Sequence, residues 1–369
     1  MDSDIILVIV VAAALVFDFT NGFHDTANAV ASSISTRALA PRTAVTLAAI
    51  LNFVGAFISI QVAATVAGGI VDAHLINTTV VFAGLIGAIS WNLATWYYGL
   101  PSSSSHALIG GVVGAAFAAG GADAVITDGL LAKVIVPAVV APIVAFAAAG
   151  AAILITYRMV GRLRPGPVNR GYRLGQIASA SLLSLSHGTN DAQKTMGIIA
   201  LALIAHGNLA PGDPPPTWVI VSAATAIALG TYSGGWRIIR TMGSRIFKMD
   251  PAQGFTAQTG GAAVLLTAAH LGFPLSTTHS ITGAVLGAGA AKRLSAVRWG
   301  LAGNIVAAWI LTLPAAAAVG ALTYGLSRLF GNGALGPLLI AISLLGLVAA
   351  IFGQRLRRGP ALTTSPADT

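Results

Sequence analysis

Charge interrupts this chain so rarely that its long apolar runs have no soluble fold open to them. From Leu130 to Ile155 the only charged side chain is Lys133, and such a run satisfies the ~20 apolar residues a helix needs to cross a bilayer. Of the 369 residues, 56% are apolar and 8% charged, whereas an ordinary soluble domain is about 25% charged. A soluble enzyme is excluded. At ~20 residues per crossing, the length accommodates roughly ten to twelve segments and no sizeable soluble domain. The expected class is an all-α polytopic membrane protein whose first partner is the lipid bilayer. There is no cysteine, which removes disulfides, thiolate metal sites and cysteine nucleophiles from consideration.

The net charge of +9 does not form one surface block, so nucleic acid is not an expected partner. Seventeen of the twenty Lys and Arg lie in five clusters: Arg37 and Arg42, Arg158 to Arg173, Arg237 to Lys248, Lys292 to Arg298, and Arg355 to Arg358. The positive-inside rule puts all five in the cytoplasm. The loops around Asp72, Asp123 to Asp128 and Asp213 then fall outside, with Lys133 and Arg328 as the basic residues there. The start, Met1-Asp2-Ser3-Asp4, lacks a signal peptide's basic segment. The first helix, from Ile5, is therefore expected to stay, giving a multi-pass cell-membrane protein with its N-terminus outside and C-terminus cytoplasmic.

The chain also repeats itself. Pro101-Ser-Ser-Ser-Ser-His106-Ala-Leu-Ile-Gly110 aligns with Pro274-Leu-Ser-Thr-Thr-His279-Ser-Ile-Thr-Gly283. Upstream, Gly22-Phe-His-Asp25-Thr-Ala-Asn28 aligns with Gly188-Thr-Asn-Asp191-Ala-Gln-Lys194. The charge-derived topology runs the first motif helix inward and the second outward, so the expectation is two inverted-topology repeats whose broken or re-entrant helices meet at the bilayer midplane. Residues 1–157 form the first repeat, 158–173 a basic cytoplasmic linker, 174–325 the second repeat, and 326–369 an extra helix with a loose tail. The helices from Trp299 onward carry no matching motif and are expected at the periphery.

Asp25 and Asp191 lie deep in apolar segments, where a lipid-facing aspartate costs about 2.5–3.5 kcal/mol. They must face one another, a cation or water. Helical spacing sets Asn21, Asp25 and Asn28 on one stripe, and His187, Asp191 and Lys194 on its counterpart. Lys194 either balances Asp191 or attracts an anion. His24 beside Asp25 is a candidate proton-responsive group, while His106 and His279 are either proton carriers or hydrogen-bond partners in packed helices. Pro101 and Pro274 each precede a hydroxyl cluster, Ser102 to Ser105 and Ser276 to Thr278. Free N–H groups at a helix start, with hydroxyls, can hold a tetrahedral anion, and simple capping is the alternative.

At these motifs the sequence resembles the inorganic phosphate transporter (PiT) family, whose signatures GxxDxAN and GxNDxQ occupy opposing halves. Essentially the whole chain takes part in the resemblance. It implies phosphate held between the halves by Asn28, Ser103, Ser104, Asn190, Gln193, Thr277 and Thr278. Asp25 and Asp191 would serve the coupling cation, with His24 marking the low-affinity bacterial, proton-coupled branch, in which a metal–phosphate complex can be the carried species. If the coupling ion is sodium, Asp25 and Asp191 are its ligands. The resemblance also implies a homodimer, and no cofactor beyond the coupling cation. His24 opposite Asn190, and Asn28 opposite Lys194, depart from repeat symmetry.

The reading is a secondary transporter importing inorganic phosphate with a cation, proton before sodium, by alternating access, and not an enzyme. A sodium-coupled phosphate or sulfate transporter is the near alternative. An oxyanion channel would not need the paired aspartates, and a serine hydrolase would need one serine activated by a histidine where this chain has duplicated hydroxyl runs.

Overall fold

The computed structural model describes residues 2–331 and 333–357, so Arg358 and the expected tail at 359–369 lie outside the described residues. Among the described residues there is no strand, only an isolated bridge between Val71 and Val125. The long first helix, α1 (Asp2–Ser35), is followed by α2 (Pro41–Gly55), opened by a proline whose missing N–H costs nothing at that position. A short α3 (Gln61–Gly68) precedes α4 (Thr78–Tyr98), capped by Asn77 at its start and closed by left-handed Gly99. Next come α5 (Ser104–Gly120), α6 (Thr127–Leu130), and α7 (Val136–Val160). The second half holds α8 (Pro165–His206), α9 (Thr217–Ser233), α10 (Trp236–Arg240), α11 (Pro251–His270), α12 (Thr277–Lys292), α13 (Trp299–Arg328) and α14 (Leu335–Arg357).

The linker takes on definite structure here, and the number of spans needs correction. The linker at 158–173 is mostly helix, since only Gly161 to Arg164 separate α7 from α8. Pro165, Gly166 and Pro167 occupy the first turn of α8, where proline is tolerated. Five described helices are long and apolar enough to cross a membrane on length and composition, or six if α9 and the segment Trp236–Arg245, bent by 58°, count as one span. The ten to twelve expected divided the chain's length by ~20 residues per crossing. In the structure α2 and α3 are 15 and 8 residues long, and α8 and α11 are diluted by polar side chains turned inward.

The motif helices α1 and α8 lie antiparallel through the middle. Asp4 meets His206 at one end, 3.5 Å apart, and Thr36 donates to Gln176 at the other, 2.5 Å away. The hairpin α4–α5 begins and ends beside the Val71–Val125 bridge, with its turn at the opposite end, where Thr241 donates to the Gly99 carbonyl. The hairpin α11–α12 hangs from that opposite end: Lys292 pairs with Asp250 at 3.0 Å, and Gln253 donates to the Ala288 carbonyl. The N-termini of α5 and α12 therefore meet inside the molecule, where Ser105 donates to the Leu275 carbonyl and the His106 and His279 rings are 4.7 Å apart.

The long helix of each half covers the Pro-Ser/Thr helix of the other, α7 on α12 and α13 on α5. Gly114 faces the Ala317 carbonyl and Gly287 the Phe146 carbonyl, and a methyl group at either glycine would collide with that oxygen. Close backbone approach of this kind is how helices associate where lipid removes the hydrophobic drive. Contrary to the sequence expectation, α13 is not peripheral. Trp309 donates to the Pro101 carbonyl and stacks on His279, centroids 4.0 Å apart, while Thr312 accepts from Trp91. Outward-facing Ile143 and Ile310 are 62% and 70% exposed, which is the lipid-facing surface of a multi-pass membrane protein.

Gly114→Val and Gly287→Val are each expected to destabilise the detergent-purified protein by about 1–3 kcal/mol through overpacking, read as a lowered thermal unfolding midpoint. Gly303→Ala, with nothing within 4 Å of the added carbon, leaves it unchanged. Equal behaviour of all three variants would disprove the close-packing account.

Candidate functional site

The antiparallel helices carry Asp25 and Asp191 to one point, where both are at most 2% exposed. Thr277, the first residue of α12, places its hydroxyl 3.2 Å from Asp25 Oδ2 and 3.2 Å from Asp191 Oδ2. That hydroxyl has one proton, so it can donate to only one carboxylate at a time. Ser104, the first residue of α5 and the repeat partner of Thr277, donates to Asp25 Oδ1 at 3.2 Å. The pair is thus stitched together by the starts of the two Pro-Ser/Thr helices.

Each carboxylate has its own imidazole. His24 Nδ1 is 2.6 Å from Asp25 Oδ1, and His187 Nε2 is 3.0 Å from Asp191 Oδ2. The apparent asymmetry of the motifs is an exchange. One and four residues before the aspartate, α1 has His24 and Asn21 where α8 has Asn190 and His187. In α8 the ring reaches the carboxylate from four residues back, on the same helix face, whereas in α1 it reaches it from the adjacent position. The second ring nitrogens are held as well, His24 Nε2 by Thr95 at 3.1 Å and His187 Nδ1 by Asn52 at 3.2 Å. Asn52 in turn donates to Thr231, 2.7 Å away. Thr95, Asn52 and Thr231 were missed from sequence; their signal was polarity inside apolar helices.

Lys194 is fully engaged in the interior. It pairs with Asp191, donates to Ser105 at 2.5 Å and donates to the Leu275 carbonyl at 2.6 Å. Asn28 donates to Thr277 and Thr278, at 3.3 and 2.9 Å. Ser103 and Ser276 act as N-caps, each accepting from the backbone N–H three residues on at 3.1 Å. Ser102 donates to Thr95 at 2.8 Å. Gln193 points elsewhere: it accepts from Val62 N and Ala63 N at the start of α3 and donates to the Thr189 carbonyl. Asn190 donates to the Phe273 carbonyl at 3.3 Å, and the Oδ1 atoms of Asn190 and Asn21 are buried with no hydrogen-bond partner. His106 and His279 pack ring against ring, one step behind the caps.

Chemically, the cluster can hold a cation and an anion side by side. Ligand atoms of Asp25, His187 and Asp191 lie within 4.8 Å of one another, and the Thr277 hydroxyl adds an oxygen donor, a set that suits either a proton or a sodium ion. Two helix N-termini of 17 and 16 residues, with hydroxyls at their first turns, converge on the same place and favour an anion. A multiply charged anion beside two carboxylates and one ammonium is repelled unless cations arrive with it. Among the described residues no hydrogen bond joins a motif serine to an imidazole; those serines are engaged as helix caps and with Asp25, Lys194, Leu275 and Thr95.

The sequence model described as the phosphate transporter family matches residues 21–169 and 162–320. A "probable low-affinity inorganic phosphate transporter" of Mycobacterium bovis is 54% identical over 358 residues, covering 96% of this chain and 85% of that one. Its counterpart in Rhizobium meliloti is 52% identical, covering 86% and 96%. Among solved structures, "the sodium-dependent phosphate transporter" superposes with a TM-score of 0.77 at 25% identity, covering 88% of this chain and 99% of that one.

Lys194→Met breaks the buried Lys194–Asp191 pair, leaving Asp191 with His187 and the Thr277 hydroxyl, and is expected to cost up to about 3–5 kcal/mol of stability. Adding Asp191→Asn recovers most of it. Thermal unfolding of the purified single and double variants checks this, and a stable Lys194→Met protein would show that the pair is not needed.

Proposed function

The chain belongs to the phosphate transporter family, and from that premise we propose that it carries inorganic phosphate inward with a cation, alternately exposing the Asp25–Asp191 site to the two sides of the membrane. The observation that carries the cation coupling is the convergence of two buried carboxylates, one from each half, on the Thr277 hydroxyl. Phosphate bound at the starts of α5 and α12 meets that negative charge directly, so protonation or cation binding there becomes a condition for loading it. Antiparallel α1 and α8, and hairpins hung from opposite ends, support inverted repeats as the moving parts.

The end holding Asp4, Asp72 and Asp213 faces outward in this reading, and the end holding Asp250 and Lys292 faces the cytoplasm. The substrate donors are Ser104, Thr277, Thr278, Asn28 and the helix N–H groups. Gln193 supports α3, and Ser103 and Ser276 shape the cradle as caps. The coupling ion is a proton, because each aspartate carries its own imidazole within 3.0 Å, so a proton arriving at either carboxylate has a second basic group beside it. Sodium is the second reading. It is favoured by the compact Asp25, His187 and Asp191 donor set and by likeness to a structure titled as a sodium-dependent transporter.

Asp25→Asn and Asp191→Asn are each expected to abolish concentrative phosphate uptake into proteoliposomes while the protein still purifies folded. Normal accumulation by either variant would remove that carboxylate from coupling.

Wild-type uptake is expected to follow an inward proton gradient without sodium and to change with external pH. His24→Asn, which copies Asn190 in the other half, flattens that response. Uptake that requires sodium and ignores the proton gradient would decide for the second reading.

A further inference from the structure

α1 buries a third carboxylate that the central site does not use. Asp18 is 0% exposed, and neither of its oxygens has a hydrogen-bond partner. It stands about two helical turns from Asp25, between the central site and an apolar plug that includes Val10, Phe17 and Leu201. Asn21 and Thr195 sit beside its carboxylate, and Asn21 Oδ1 and Thr195 Oγ1 are likewise buried without partners. The charged groups facing it are Asp191 and Lys194 of α8. Lys194 is already taken by Asp191, while α4 and α9, packed on this stretch of α1, contain no charged residue.

An ionised carboxylate left like this would cost several kcal/mol. One added proton would satisfy the group: the carboxyl O–H would donate to Asn21 Oδ1 and the Thr195 hydroxyl to the remaining carboxyl oxygen, these being the polar side chains beside Asp18. The repeat offers no second copy, since the position matching Asp18 is Ser184, which donates to its own helix at Ala180.

We infer that Asp18, with Asn21 and Thr195, is a second proton-binding site, separate from Asp25 and Asp191 and present in one half only. The proton enters from water on one side, resides on the Asp18 carboxyl, and leaves to water on the other. The transport role rests on the function proposed above; the binding of the proton does not.

Infrared difference spectroscopy of the full-length protein in nanodiscs, titrated through neutral pH, tests the binding. The wild type is expected to show, among its buried carboxylic-acid carbonyl stretches, one band that is absent in Asp18→Asn and displaced in Thr195→Val. The Thr195→Val spectrum decides the matter should Asp18→Asn fail to fold. An unchanged spectrum in either folded variant overturns the site, as does a band that disappears when sodium replaces potassium at constant pH, which would make the cation sodium. In proteoliposomes, protons moved per phosphate fall by one in Asp18→Asn, and an unchanged ratio overturns the transport role. Absence of phosphate uptake by the wild type would instead defeat the proposed function and leave the spectroscopic result standing.

Discussion

Everything in this fold is arranged around the cost of keeping Asp25 and Asp191 out of water. Two carboxylates at one buried point repel each other and lose their hydration, so each needs its own compensation. Asp191 has Lys194 and His187; Asp25 has His24, Ser104 and half of the Thr277 hydroxyl. Those partners come from four helices, α1, α5, α8 and α12, so satisfying the charge fixes how the halves meet. The His106–His279–Trp309 stack then locks the two helix starts from behind.

The hydroxyl clusters divide their labour by position within the helix start. Ser103 and Ser276 precede the first turn and are spent on its backbone. Ser104 and Thr277 follow one residue later and point at the carboxylates instead. Under the transport reading, capping and anion recognition are not rival explanations of the Pro-Ser/Thr motif, because a capped, immobile helix start is what holds the next hydroxyl in place.

Much of this was legible in the sequence where polarity stood against an apolar background. The aspartates, the duplicated hydroxyls and the motif helices all announce themselves that way. Gln193 did not, because its partner is the start of α3, and an eight-residue helix after Ser59 and Ile60 leaves no periodic signal. Trp309 was invisible for the opposite reason, since an aromatic residue in an apolar run reads as ordinary lipid-facing or core packing. The pairing of His187 with Asp191 lay in the repeat alignment but at a different offset from His24, so column-by-column comparison showed a mismatch where in three dimensions each aspartate has one imidazole.

The two approaches to the site differ in what must be separated to open them. Toward the end carrying Asp4 and His206, α1 and α8 meet through Val10, Ala14, Met196 and Leu201, all in one apolar cluster. Toward the end carrying Asp250, the same helices and α11 meet through Thr36, Gln176, Ser179, Gln258 and Ser33, joined by side-chain hydrogen bonds. Water can replace each of those hydrogen bonds with one of its own at small net cost, whereas parting the apolar contact exposes surface at about 25 cal/mol per Å². The polar side is thus the one this conformation can hydrate readily. Under the transport reading, opening the other side requires an energy source, and neutralising the buried carboxylates with cations is the one that the site itself provides.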